Sequence, residues 1–199
     1  SVSRENGRIQ AQVAAVADVA ARAGLLFAEA YMYRCHPQIA RLLEILKSGE
    51  IGTPRHIRAQ FGFNAGFNPA SRLYDRALGG GGIMDVGGYP VSLARLVAGA
   101  AVGRAFADPV TVKGSGIVGQ SGVDEVAYGL LGFAGGFTAE VACAIARTMD
   151  NRAVIEGDKG RIELVDPWVP GRNAGPSDAT ISVTVGGETR VEVLRSPQH

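Results

Sequence analysis

Ile9, Val13, Val16 and Ala20 recur at helical spacing, with Arg8, Gln12, Asp18 and Arg22 off that face. The pattern predicts an amphipathic helix ending at Gly24, a residue suited to a C-cap. Leu25 to Tyr33 then reads as a mostly buried strand. Pro37 opens a second helix with the apolar stripe Ile39, Leu42, Leu43 and Leu46, which closes at Ser48-Gly49.

From Arg55 the period changes to two. Ile57, Ala59, Phe61 and Phe63 alternate with His56, Arg58, Gln60 and Gly62, the signature of a strand with one wet face. Asn64 to Leu78 is a long polar connection bearing aromatics, a type of loop that is often functional. Gly79 to Gly82 leads into a third helix running to about Val97. The remainder reads as strands: Val110 to Val118, Glu125 to Phe133, Phe137 to Arg147, Arg152 to Glu156, Arg161 to Val165, Thr180 to Val185 and Thr189 to Leu194. Glycine-bearing turns at 134–136, 157–160 and 186–187 join them as hairpins. Consecutive hairpins imply an antiparallel sheet, and helices clustered early imply that they cover one of its faces. The class is α+β.

Composition narrows the function. The chain has 199 residues, 46% hydrophobic and 20% charged, enough apolar material for a core without disulfides. Its 20 basic and 19 acidic residues are dispersed, so no basic stripe invites nucleic acid. No stretch approaches the roughly 18 apolar residues of a membrane span, and the Ala-rich start lacks signal-peptide features. Cys35 and Cys143 are far apart and outside any C-x-x-C pattern, which suits a reduced, cytoplasmic location. No G-x-G-x-x-G opens a helix after a strand, and the acidic residue expected about 20 positions beyond Gly79–Gly82 is missing. The chain starts at Ser1 directly in a helical pattern, so the expectation is that something preceded it.

Three clusters are candidates for chemistry. In Gly79 to Pro90, Asp85 and Tyr89 stand four apart, which on one helix puts both on one face. A phenol beside a carboxylate can move a proton to or from a hydroxyl. The surrounding glycines would let a ligand approach the backbone. An ordinary helix start with Tyr89 as a core aromatic fits the spacing slightly better, and Pro90 argues against an unbroken helix there. In Glu29 to Pro37, Arg34 can hold a carboxylate, phosphate or sugar hydroxyl and His36 can orient a substrate. Local pairing of Arg34 and a helix-start contact of His36 stand beside that reading. Arg72, just before the glycines, can reach a ligand or be paired on the surface. His56 and His199 read as structural or terminal. No residue set suggests a metal site.

Together these segments resemble the glucose–fructose oxidoreductase, inositol dehydrogenase and rhizopine-catabolism family, Gfo/Idh/MocA. Glu29-Ala-Tyr-Met-Tyr-Arg-Cys-His-Pro37 is similar to its E-A-[FY]-M-Y-R-x-H-P segment. Gly80-Gly-Gly-Ile-Met-Asp-Val-Gly-Gly-Tyr-Pro90 is similar to its G-G-G-x-x-x-D-x-G-x-[YH] segment, with Tyr89 as in the dihydrodiol, xylose and glucose–fructose branch. Ala153 to Leu164 is similar to its I-x-G-x-x-G-x-[IL] hairpin. The resemblance implies an open antiparallel sheet with helices on one face and the other face against partner subunits, giving a homo-oligomer. It implies residues 1–24 as a helix left over from a domain junction and 25–199 as a substrate-binding and oligomerisation domain. It also implies an NAD- or NADP-dependent oxidoreductase acting on a sugar, polyol or diol. Tyr89 would be the proton donor or acceptor and Asp85 its tuner or a substrate ligand. Arg34, His36 and Arg72 would contact substrate, and Arg34 and Pro37 would lie at the cofactor. The family's Rossmann domain and E-K-P lysine have no counterpart here, so the chain alone is expected to be inactive. A non-catalytic polyol-binding module and a structural assembly domain remain open alternatives.

Overall fold

The structure, a computed structural model, describes residues 2–28, 30–170 and 177–196. It divides into two compact units, one up to Tyr31 and one from Met32 onward.

The first unit is helix α1, Val2–Arg22. It ends on Gly24 at φ +66°. The Leu25 N–H reaches the Ala20 carbonyl and the Gly24 N–H that of Ala21, the paired closure that a left-handed glycine permits. Val13, Val16 and Val19, on or beside the apolar face, are all exposed. The expected strand over Leu25 to Tyr33 is not formed among its described residues, and Glu29 lies outside them. An apolar run becomes a strand only when another strand satisfies its backbone groups, and none of the described strands pairs with it. Met32–Cys35 forms a 3₁₀ turn instead.

In the second unit, α2 spans Pro37–Ser48. Proline sits at its start, and Gly49 closes it at φ 72° by donating to the Leu46 carbonyl. Its buried stripe is Ile39, Leu42, Ile45 and Leu46; each such side chain contributes about 1.5–3 kcal/mol on burial. Strand β1 (Pro54–Gly62) is followed by 3₁₀ turns at Arg72–Tyr74 and Arg76–Leu78, a π turn at Ile83–Gly87, and α3 (Gly88–Ala101). Then come β2 (Pro109–Val118), β3 (Asp124–Phe133), β4 (Thr138–Ala144), β5 (Arg152–Gly157), β6 (Gly160–Val165), β7 (Ser177–Val185) and β8 (Glu188–Ser196).

The strands form one open sheet in the order β2-β3-β4-β1-β5-β6-β7-β8. All neighbours are antiparallel except β1 and β4, which run parallel with Arg58 opposite Glu140. The sheet is therefore mixed, a departure from the expected antiparallel one. The reason is the connection through α3. It returns the chain so that β2 runs in the direction of β1, and the β2–β3–β4 meander then folds back to place β4 beside β1. Ile57, Ala59, Phe61, Ala139, Cys143, Ala153, Ile155, Ile162, Leu164, Ile181 and Val183 build the core on the helix-covered face. The opposite face carries Arg58 with Glu156 at 3.6 Å and His56 with Thr138 at 2.8 Å, polar pairs suited to a wet surface.

Both cysteines are free, Cys35 exposed and Cys143 buried beneath the sheet's helical face. Burial, with the nearby Asp124 charge second, pushes the Cys143 thiol up to about 12. A thiol reagent at pH 8 is therefore expected to titrate one fast equivalent, Cys35. Cys143 should react roughly a thousandfold more slowly until denaturant is added. Two fast equivalents would contradict this placement.

Candidate active site

The Gly79–Pro90 segment is not one uniform helix. Asp85 lies in the π turn Ile83–Gly87, and Tyr89 lies in the first turn of α3. Pro90 explains the break: its missing N–H falls in the first turn of the α-helix, where donors lack intrahelical acceptors anyway. A π turn ahead of it is a feature frequent at functional sites.

The glycines are there for the protein's own packing. A Cβ on Gly80 would lie 2.6 Å from the Leu73 carbonyl, and one on Gly81 would lie 2.3 Å from Asp124 Oδ1. Gly81 also holds φ +114°, a conformation side chains rarely adopt. The backbone here is approached by neighbouring chain, where the sequence suggested approach by a ligand.

Asp85 is brought to Arg72, whose Nη2 donates to Oδ1 at 2.8 Å. Tyr89, half-buried, packs in an aromatic cluster. Its ring centroid is 5.3 Å from Phe61, 5.9 Å from Tyr33 and 6.5 Å from Trp168. Trp168 is fully buried and anchored by its indole N–H on the Gln60 carbonyl at 2.8 Å. Burial raises the Tyr33 phenol above its ordinary value, while Ser92 and the Arg34 charge pull it back.

Arg34 reaches the same helix. It donates to Ser92 Oγ, three residues beyond Tyr89, at 3.3 Å, and its guanidinium lies 4.6 Å from the Phe106 ring centroid. His36 is buried and caps α2, its Nδ1 accepting the Gln38 N–H at 3.1 Å. A ring accepting at Nδ1 carries its proton on Nε2. Pro37 is exposed at the first position of α2. His56 pairs on the open face, and His199 lies outside the described residues.

The structure thus joins Asp85 with Arg72 and ties Arg34, through Ser92, to the helix that carries Tyr89, whereas His36 serves a helix end. Sequence reading missed Phe61, Trp168, Ser92 and Phe106. The lone tryptophan and the serine three positions after Tyr89 were the available signals; Phe61 was counted only as a strand residue. Among the described residues, no three His, Cys, Asp or Glu side chains gather as for a metal, and no helix is long and apolar enough to cross a membrane.

With the fold and site in view, the chain matches the Gfo/Idh/MocA C-terminal domain over residues 39–163, and it belongs to that family. Among curated relatives, it is similar to the trans-1,2-dihydrobenzene-1,2-diol dehydrogenases. It is 31% identical to that of Mus musculus over 147 residues, 74% of this chain and 42% of that protein. For the Homo sapiens protein the figures are 33% over 156 residues, 78% of this chain and 44% of that protein. The chain spans about half the length of the curated relatives it matches. Solved structures share its fold. One is a 3-ketoreductase of Actinomadura kijaniata in complex with NADP and TDP-benzene (TM-score 0.75, 24% identity, 94% of this chain, 54% of that one). Another is an aldose-aldose oxidoreductase of Caulobacter crescentus complexed with glycerol (TM-score 0.71, 24% identity, 89% of this chain, 50% of that one).

Proposed function

We propose that the chain is the substrate-side part of an NAD(P)-dependent oxidoreductase acting on a sugar, polyol or diol. The observation that carries this reading is the placement of Tyr89 on the first turn of α3, where Arg34 of the Met32–Cys35 turn bonds to Ser92, with the Asp85–Arg72 pair one turn upstream. Family membership and the dehydrogenase relatives support it.

The Gly79–Gly82 run offers no cradle for a dinucleotide's phosphates, because Leu73 and Asp124 fill the space about Gly80 and Gly81. The residues proposed to meet one edge of a nicotinamide are Arg34, held by Ser92, and the exposed Pro37. Such a group, held mainly by residues of another domain, accepts or supplies the hydride when bound. The chain's own residues do the rest. Tyr89 holds or receives the proton of the substrate oxygen. Asp85, oriented by Arg72, binds a substrate hydroxyl or tunes the phenol, and Arg34 fixes the substrate's polar end. His36 secures the start of α2 beneath Arg34 and Pro37. Residues 1–24 belong, in this reading, to the junction with the dinucleotide-binding domain, and the exposed apolar face of α1 fits such a role.

The test is a turnover assay. The full-length polypeptide, given NAD or NADP and a panel of sugars, polyols and diols, is expected to show substrate-dependent nicotinamide reduction; residues 1–199 alone are expected to show none. Affinity for a polyol with no turnover by the full-length polypeptide would favour the binding-module reading.

We also propose that the open sheet face pairs with a second copy in a cytoplasmic homo-oligomer. Tyr128 and Leu130 of β3 stand exposed there, lining a trough of about 530 Å³ with Arg58, Lys113 and Glu140. Leu130→Arg is expected to convert the oligomer to monomer in light scattering; an unchanged mass would exclude this face.

A further inference from the structure

We propose that Asp124, at the start of β3, is a positioning residue for Tyr89: its carboxylate clamps the glycine run that leads into the π turn and α3. The inference rests on the reading of Tyr89 as the proton-transfer group.

The clamp is built from both sides. Asp124 Oδ2 accepts the Ile83 N–H at 2.7 Å, across 41 residues of sequence. A Cβ on Gly81 would meet Oδ1, so only a glycine there admits the carboxylate this close, and one on Gly82 would lie a tight 3.3 Å from Oδ2. Gly81 is held in turn by the Leu73 carbonyl through its N–H, and its own carbonyl accepts the Asp85 N–H at 3.1 Å. On the far side Gly82 packs on the Ala144 backbone and Gly87 on Cys143 Sγ. One carboxylate therefore fixes the entrance of the segment, and Asp85 is tied to that entrance through the Gly81 carbonyl.

Charge and solvation support the assignment. A negative group at the start of the helical run Ile83–Ala101 meets the N–H ends of its first turn. Asp124 is partly buried, and that burial raises its carboxyl above the ordinary value; the N–H groups of Ile83, of Asp124 itself and of Gly82 pull it back. A desolvated carboxylate given backbone donors is worth retaining where four consecutive glycines would otherwise leave the chain loose. Loss of the clamp frees the entrance without touching the Phe61–Trp168 cluster around the Tyr89 ring. The proton-transfer geometry is what suffers, while substrate binding through Arg34 persists.

The experiment uses the full-length polypeptide with Asp124→Ala, Asp124→Asn and Gly81→Ala, reading amide hydrogen exchange beside kcat and KM. In Asp124→Ala, exchange at Ile83 is expected to accelerate by about tenfold or more, with Leu164 in mid-sheet unchanged. In the same variant kcat is expected to fall by about 10–100-fold with KM within about threefold. Asn, a neutral acceptor of the same N–H, is expected to restore both to within about threefold. Gly81→Ala, which displaces the carboxylate sterically, should reproduce the Ala result if Asp124→Ala fails to fold. Unchanged Ile83 exchange in both Ala variants overturns the clamp, and lost protection with unchanged kcat overturns its link to Tyr89. Absent wild-type turnover would refute the proposed function, while the exchange data still decide the clamp.

Discussion

Tyr89→Phe in the full-length polypeptide is expected to lower kcat/KM by about 10²–10⁴-fold, the usual worth of a positioned general acid or base. KM is expected to stay within about threefold, since the loss falls on a proton transferred only in the transition state. The packing makes this a clean experiment. The ring contacts with Phe61, Tyr33 and Trp168 involve the aromatic body, which phenylalanine retains. Stability should therefore change by no more than about 1 kcal/mol. A variant that is folded, binds substrate and is inactive separates a chemical role for the hydroxyl from a structural one. Full activity would reduce Tyr89 to a core aromatic, the alternative that spacing alone left open.

The second large effect is on the fold. Trp168→Ala is expected to destabilise the second unit by about 3–5 kcal/mol, a fall in Tm on the order of 10 °C. Trp168 is fully buried, stacks on Phe61 at 5.9 Å between centroids and meets Tyr33 edge-on at 5.7 Å. Its removal leaves a cavity between β1 and the start of α3 and strips the Gln60 carbonyl of its donor. Trp168→Phe keeps most of the volume and loses only that bond, so a cost of about 1–2 kcal/mol is expected. Equal costs for the two variants, read by thermal unfolding, would show that the cluster has little packing role.

The contrast between these two residues shows what was legible in the sequence. Tyr89 stands in a segment whose glycines, carboxylate and proline draw attention without any structure. Trp168 lies three residues after the end of β6, and only the fold brings it to β1, 108 residues away in sequence from its partner Gln60. Helix α2 was readable because local signals agree: a proline at its start, an apolar stripe and a glycine at its end. The hairpins were readable for the same reason, Gly186 and Gly187 at φ +59° and +88° being what a tight turn demands. The parallel pairing of β1 with β4 was not, because it joins Arg58 to Glu140 through a crossover whose direction no local pattern encodes. The strand expected at Leu25–Tyr33 failed for the converse reason. Its residues have strand-like character, but strand identity depends on a partner. The π turn had one local signal, Pro90, and the Asp124 clamp had none, being a contact across 41 residues.

The proposal that these residues are one part of a two-domain oxidoreductase is tested most directly by the mass of the native polypeptide in its source. Peptides from this region are expected in a polypeptide larger than 20.7 kDa, by the roughly 100–150 residues of a typical domain. A native mass near 20.7 kDa would contradict the claim, and the Tyr89 cluster would then belong to a domain that binds its ligand without oxidising it.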